Sequence, residues 1–204
     1  MLTRQERAAL LARVARGSRL SLPDAEWSAL ERLLKPRRLA KGELFVKPDD
    51  PAALLGIVRS GLLRFYYVDA DGSQATKAFS QAGELAAAYA EMLSGVPSRT
   101  YIEALEPSEL LVADYTRVSA LFGRHPAWQE VARFVAEHFY ITKERREYEL
   151  LQLSAEQRYL LFDREFPGVA ARIPQYHIAS YLGITPVALS RIISRRLAAG
   201  RRRR

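Results

Sequence analysis

The sequence predicts an α+β fold: an N-terminal β-roll of the jelly-roll type, one long helix, and a C-terminal helix-turn-helix. Three observations carry this. Turn signals recur roughly every ten residues between Arg37 and Ala113, a helical pattern runs uninterrupted from Pro126 to Leu153, and two short amphipathic patterns flank a Gly-Ile-Thr-Pro turn at 183–186. The domain boundaries expected are 1–125 for lead helices plus roll, 126–153 for the long helix, and 154–204 for the helix-turn-helix unit.

The chain opens on an amphipathic basic pattern, MLTRQERAALLARVARGSRL. It lacks the compact apolar stretch of a secretory signal, and Glu6 with a continuous Leu/Val face favours a packed lead helix over a transit peptide. A second helix is expected over Leu22–Leu34, with Pro23 at its start and Trp27, Leu30, Leu33 and Leu34 on one face. The rhythm then changes to short strands. Asp71-Gly72 reads as a hairpin turn because both positions tolerate positive φ. On the strand before it, Leu63, Phe65 and Tyr67 alternate with Leu62, Arg64 and Tyr66, so both faces carry apolar surface, as in a sandwich or barrel.

The helix from Pro126 would be about 42 Å long at 1.5 Å per residue. Along it Phe134, His138, Ile141, Arg145, Tyr148 and Gln152 alternate four and three apart, the spacing of a coiled-coil seam, with Trp128, Val131 and Val135 extending the contact face. A two-fold partner helix is therefore expected, with Phe134, His138, Ile141 and Tyr148 as dimerisation residues. Ser154 followed by Gln157 makes a capping box, so a new helix should begin there.

In the C-terminal pair, Ile178, Ala179 and Leu182 give the first helix a buried face. Gly183 sits where the chain must reverse, Thr185 can cap the next helix, and Pro186 suits its first position. Burying Leu189, Ile192 and Ile193 leaves Val187, Ser190, Arg191, Ser194 and Arg195 for other surfaces. Charge points the same way. The chain is +8 overall, yet from Ala155 onward there are ten arginines and three acidic residues, and from Gln175 onward seven arginines and no carboxylate. Contact with a polyanion there would release counterions and give salt-sensitive affinity. The partner expected is double-stranded DNA. Val187, Ser190 and Arg191 are assigned to base edges; Gln175, Tyr176, Thr185, Arg195 and Arg196 are assigned to phosphate. No β-hairpin wing is expected after this helix, because only the arginine tail Arg201–Arg204 follows it.

Composition excludes several classes. With no cysteine there is no disulfide, thiolate metal site, cysteine-ligated iron–sulfur cluster or cysteine nucleophile. His125, His138 and His177 have no ligand spacing, which leaves haem without support. A cupin-like metal enzyme is disfavoured because no histidine occurs between Arg37 and Ala113. No Ser/His/Asp arrangement or phosphate-cradling glycine loop is present, so the chain is read as not an enzyme and without cofactor. No stretch nears the ~20 apolar residues of a membrane span. The location expected is cytoplasmic, with no membrane partner.

The order of these parts resembles the Crp/Fnr superfamily of bacterial transcription regulators, over about Lys41 to Ala198. The roll motifs are Gly42-Glu43-Leu44-Phe45, Ser60-Gly61, Asp71-Gly72, Gly83-Glu84 and Ala104-Leu105-Glu106; the helix-turn-helix motifs are Leu182-Gly183-Ile184-Thr185 and Leu189-Ser190-Arg191-Ile192. The resemblance implies a cyclic-nucleotide-binding-domain-like roll and a homodimeric regulator reading a near-palindromic site through residues 185–196, with RNA polymerase as a further candidate partner. It departs from the nucleotide-binding members at one point. They follow Gly83-Glu84 with a second Gly-Glu pair four positions on, whose glutamate holds the ribose hydroxyl, and later an Arg-Ser/Thr pair holds the cyclic phosphate. Here the second pair is Ala87-Ala88, while Arg99-Thr100 survives as a candidate anion site. A methyl group cannot accept a hydroxyl hydrogen bond, so the effector implied is unknown and not a cyclic nucleotide. Relatives also often carry glutamate at the position of Val187; valine there would instead contact a thymine methyl. The competing reading is a ligand-binding or protein-interaction roll with only non-specific DNA affinity.

Overall fold

The computed structural model describes residues 2–15 and 21–201, so residues 202–204 of the arginine tail lie outside the described residues. Two helices lead, α1 (Arg4–Ala15) and α2 (Asp24–Leu33). Eight strands follow: β1 (Lys35–Leu39), β2 (Leu44–Val46), β3 (Leu54–Ser60), β4 (Leu62–Val68), β5 (Gln74–Gln81), β6 (Leu85–Ala86), β7 (Tyr101–Ala104) and β8 (Ser108–Asp114), with the short helix α3 (Tyr89–Ser94) before β7. They form two four-stranded sheets, ordered β1-β8-β3-β6 and β2-β7-β4-β5. This is the predicted antiparallel roll. After β8 come α4 (Tyr115–Ser119), a 3₁₀ turn at Ala120–Gly123, and the long helix α5 (Pro126–Gln152). The C-terminal elements are α6 (Ala155–Glu165), a 3₁₀ turn at Val169–Ala171, α7 (Gln175–Leu182) and α8 (Pro186–Arg201).

Strand alternation explains why the roll carries helices. In β3 and β8, Val58, Leu110 and Val112 belong to one core, shared with Phe45, Leu63, Phe65 and Ile102 of the opposite sheet. Their neighbours Ile57, Leu111 and Ala113 point the other way, into a second core made with Leu10, Trp27, Leu30, Val118 and Trp128 from the helices. A sheet apolar on both faces must be covered twice. The lead helices and the start of α5 supply the second cover.

Three expectations are corrected. The hairpin after β4 is not a two-residue turn with positive φ at both Asp71 and Gly72. Only Gly72 has it (φ 81°), and the loop spans Asp69 to Ser73, organised by Asp69 Oδ1, which accepts from the amides of Asp71 (3.0 Å) and Ser73 (2.8 Å). An aspartate that builds its own turn leaves one residue needing the left-handed region. Next, Trp128 and Val131 do not extend a seam: Trp128 is buried in the second core and Val131 packs against it. Finally, α5 is not a unit of its own. Its residues to Ile141 cluster with the roll and those from Thr142 with the C-terminal helices, and the segment Val68–Lys77, the β4–β5 turn with the strand ends beside it, clusters with the latter too.

The Trp128 indole N–H donates to Glu26 Oε2 at 2.7 Å, with Arg124 Nε at 3.3 Å from the same oxygen. These donors, the indole first, hold the Glu26 carboxyl below its ordinary value of 4.5. A depressed folded value means the linkage stabilises above pH 4.5 and is lost as pH falls through the folded value. Glu26→Gln should therefore lower stability near pH 7 and flatten the acid limb of a urea-midpoint-against-pH profile. An unchanged profile would contradict this role for Glu26.

Candidate nucleic-acid interface

The C-terminal unit starts from a predicted break. Ser154 caps α6 through a full capping box with Gln157, Ser154 Oγ accepting from the Gln157 amide and Gln157 Oε1 from the Ser154 amide at 2.9 Å. Phe162 of α6 and Phe166, just after its end, meet Tyr181 of α7 at centroid separations of 5.7 and 6.1 Å. Around them Val169, Ile173, Ile178, Ala179, Leu182, Leu189 and Ile192 are buried. Burial pushes the Tyr181 phenol up to about 12. Ile193, expected in this core, is only half-buried.

The turn into α8 is closed by a complete set of partners. A helix end leaves its last four carbonyls without intrahelical donors. In α7 these belong to Ala179, Ser180, Tyr181 and Leu182. Gly183, at φ 66° and ψ 38°, lets its own amide reach Ser180 O (3.2 Å) and the Ile184 amide reach Ala179 O (3.0 Å), which is a Schellman motif. The other two are taken from outside. Arg146 of α5 donates to Tyr181 O and lies 3.9 Å over the Tyr181 ring. Arg158 of α6 donates to Leu182 O (2.9 Å) and also to Leu153 O (2.6 Å). Thr185 then caps α8, its Oγ1 accepting from the Ala188 amide at 3.2 Å, with Pro186 in the first position.

With that turn closed, α8 has two distinct faces. Leu189 and Ile192 are buried, whereas Val187, Ser190, Arg191, Ser194 and Arg195 are exposed, Val187 at 62%. At 3.6 residues per turn, 187, 190, 191 and 194 fall on one stripe, with 195 at its flank. Gln175 and Tyr176 are exposed at the start of α7, and Tyr176 packs on the His177 ring at 4.1 Å. Arg196 is exposed but not on this stripe. It lies about half a turn away from Val187 and near Tyr159 of α6, whose phenol is held above its ordinary value by burial first and the Asp163 carboxylate next, with Arg196 opposing both. The stripe contains no carboxylate.

One contact had no signal in the sequence. Ser180 Oγ accepts from the Thr76 amide (2.8 Å) and donates to Gln74 O (3.0 Å), so the start of β5 is hydrogen-bonded to α7. A lone serine in an amphipathic helix carries no mark of such a partner.

The expected dimerisation residues are accessible to different degrees. Ile141 is 40% exposed and Tyr148 59%, joined by Tyr140, Leu150 and Leu151, the last at 72%. Phe134 and His138 are half-buried; Arg133 lies 4.3 Å over the Phe134 ring, and His138 is edge-on to Phe139. Arg145, half exposed, pairs with Glu149 (3.6 Å) and Glu165 (2.5 Å).

In the roll, Ala87 and Ala88 are buried, as is Thr100, whose Oγ1 has no partner among the described residues. Arg99 was read as a candidate anion ligand. Its Nε lies 3.5 Å from Oε1 of Glu91, a buried carboxylate on α3 that the sequence reading overlooked. The available signal was its position, one helical turn after the Ala87-Ala88 pair. An incoming anion would have to compete with Glu91 for that guanidinium.

Comparison with known proteins agrees with this architecture. Residues 36–125 match the family described as the cyclic nucleotide-binding domain. The fumarate and nitrate reduction regulatory protein of Vibrio cholerae is 26% identical over 190 residues, covering 86% of this chain and 74% of that protein. Among solved structures, FixK2 of Bradyrhizobium japonicum matches at TM-score 0.69 with 22% identity over 82% of this chain and 86% of its own. The catabolite activator protein of Thermus thermophilus matches at 0.56 with 22% identity over 92% and 88%. The shared architecture is a cyclic-nucleotide-binding-type roll followed by a long helix and a helix-turn-helix. The chain is similar to these regulators: residues 36–125 match the cyclic nucleotide-binding domain, and beyond them the likeness is one of fold.

Arg158→Ala should loosen the closed turn. Losing two charge-assisted hydrogen bonds to carbonyls should cost about 2–3 kcal/mol locally, and amide exchange at Gly183 and Ile184 should accelerate by about tenfold or more. Exchange unchanged at both amides would refute the clamp.

Proposed function

We propose that this chain is a sequence-specific DNA-binding regulator that acts as a homodimer and reads a near-palindromic site through residues 185–196. The observation that carries the reading is the carboxylate-free stripe of α8, Val187, Ser190, Arg191 and Ser194, lying opposite a buried face and flanked by Arg195. Arg191 has the reach and geometry to donate both guanidinium N–H groups to guanine O6 and N7. Val187 suits a thymine methyl, and Ser190 either base edge. Arg195, with Gln175 and Tyr176 at the start of α7, holds phosphate. The Thr185 oxygen is occupied as a cap, so its O–H is what remains for phosphate. Arg196 is assigned to the flank of the duplex rather than to the reading stripe.

Ile141 and Tyr148, with Leu151, supply the apolar stripe for a partner α5, and pairing sets two recognition helices about 34 Å apart. RNA polymerase is the proposed protein partner, and no helix among the described residues is long and apolar enough to cross a membrane. The proposed location is the cytoplasm. The effector is not a cyclic nucleotide: Ala87-Ala88 offers no side-chain acceptor for a ribose hydroxyl, and Arg99 already faces Glu91.

The test is salt-dependent binding to duplex from upstream of the coding region, against random duplex. A clear preference that survives rising salt is expected; equal affinity throughout would favour a roll with only non-specific DNA affinity. Within the specific complex, Arg191→Ala should relax preference at one base position, costing about 1–3 kcal/mol of discrimination. Arg195→Ala should weaken binding to all sequences and reduce the salt slope by about one phosphate contact. An unchanged specificity ratio in Arg191→Ala would refute the base-reading assignment.

A further inference from the structure

On the outer side of the β1-β8-β3-β6 sheet, beneath α1 and α2, lies a cavity of about 90 Å³. Its walls include Leu30, Leu55, Val118, Trp128 and Ala132, and among the described residues no charged side chain lines it. It is separate from the core between the two sheets and from the Glu91–Arg99 pair. A dry cavity of about 150 Å³ takes benzene, so this one suits a smaller body, about a four-carbon chain. Two of the lining residues, Tyr89 and Tyr115, carry a hydroxyl. Neither has a hydrogen-bond partner among the described residues: Tyr89 stacks on Phe139 at 4.4 Å, and Tyr115 packs edge-on to Phe122.

We propose that this cavity binds a small uncharged amphiphile, an apolar body bearing one hydroxyl or carbonyl oxygen. The apolar wall takes the body by removing it from water, and the two tyrosine hydroxyls take the oxygen. Burial keeps both phenols in their neutral form, raising Tyr89 to about 12 and Tyr115 above its ordinary value. An anionic head would enter with no cation to meet it, which is costly in so apolar a setting. Val131, Ala132 and Val135 put the first turns of α5 in the wall, so an occupant would touch the same helix that leads to the C-terminal unit. The inference stands independently of DNA binding.

The experiment is a methyl-NMR titration of the full chain with 1-butanol, its charged counterpart butyrate, and xenon as a purely apolar probe. Saturable shifts confined to the cavity-lining methyls are expected for butanol and xenon, with butyrate at least tenfold weaker. Ala132→Phe should abolish both, and Ala132→Leu should weaken them if the larger side chain prevents folding. Tyr89→Phe with Tyr115→Phe should weaken butanol about tenfold while leaving xenon unchanged. Non-saturating shifts spread over the chain, butyrate equal to butanol, or full binding by a folded Ala132→Phe variant would each overturn the proposal.

Discussion

The end of α7 is the constraint on which the exposed, carboxylate-free stripe of α8 depends. Four carbonyls there lack helical donors, and all four are met: two by the backbone folding back at Gly183, two by Arg146 and Arg158 reaching in from α5 and α6. An unpartnered buried carbonyl is expensive, so this closure leaves the chain one low-energy exit into α8. Thr185 and Pro186 then start α8 at once. The direction of α8, and with it the exposure of Arg191, follows from hydrogen bonds made by residues outside that stripe.

The roll is governed by a different rule. Because β3 and β8 are apolar on both sides, they need a second layer, and the helices that supply it create the second core with Trp27, Leu30 and Trp128. The Trp128–Glu26 bond fixes the start of α5 against α2. The structure thus divides one long helix between two tasks, core packing in its first turns and an exposed apolar stripe at Ile141, Tyr148 and Leu151.

Much of this was legible in the residues because it is local. The Ser154–Gln157 capping box, the Gly183 reversal and the Thr185 cap are encoded within four positions of each other, and each formed as read. The alternation on β4 is matched by burial of successive residues from Leu62 to Tyr66, for the same reason. What escaped was long-range. Arg146 and Arg158 look like ordinary charged residues on helix surfaces, and only the fold brings them to the α7 carbonyls. Ser180 meets Gln74 and Thr76 across more than a hundred residues of chain. Trp128 satisfied a seam pattern and a core pattern equally well, and the sheet decided between them. Glu91 was missed because the family pattern places its carboxylate earlier, on a position that is alanine here.

The central claim is that two copies present their α8 helices to one duplex. The measurement that tests it most directly is selection of bound fragments from random duplex, followed by hydroxyl-radical footprinting of the enriched site. The account predicts two inverted half-sites, each protected, with centres about 34 Å or ten base pairs apart. A single unrepeated motif, or no enrichment over the starting pool, would contradict it.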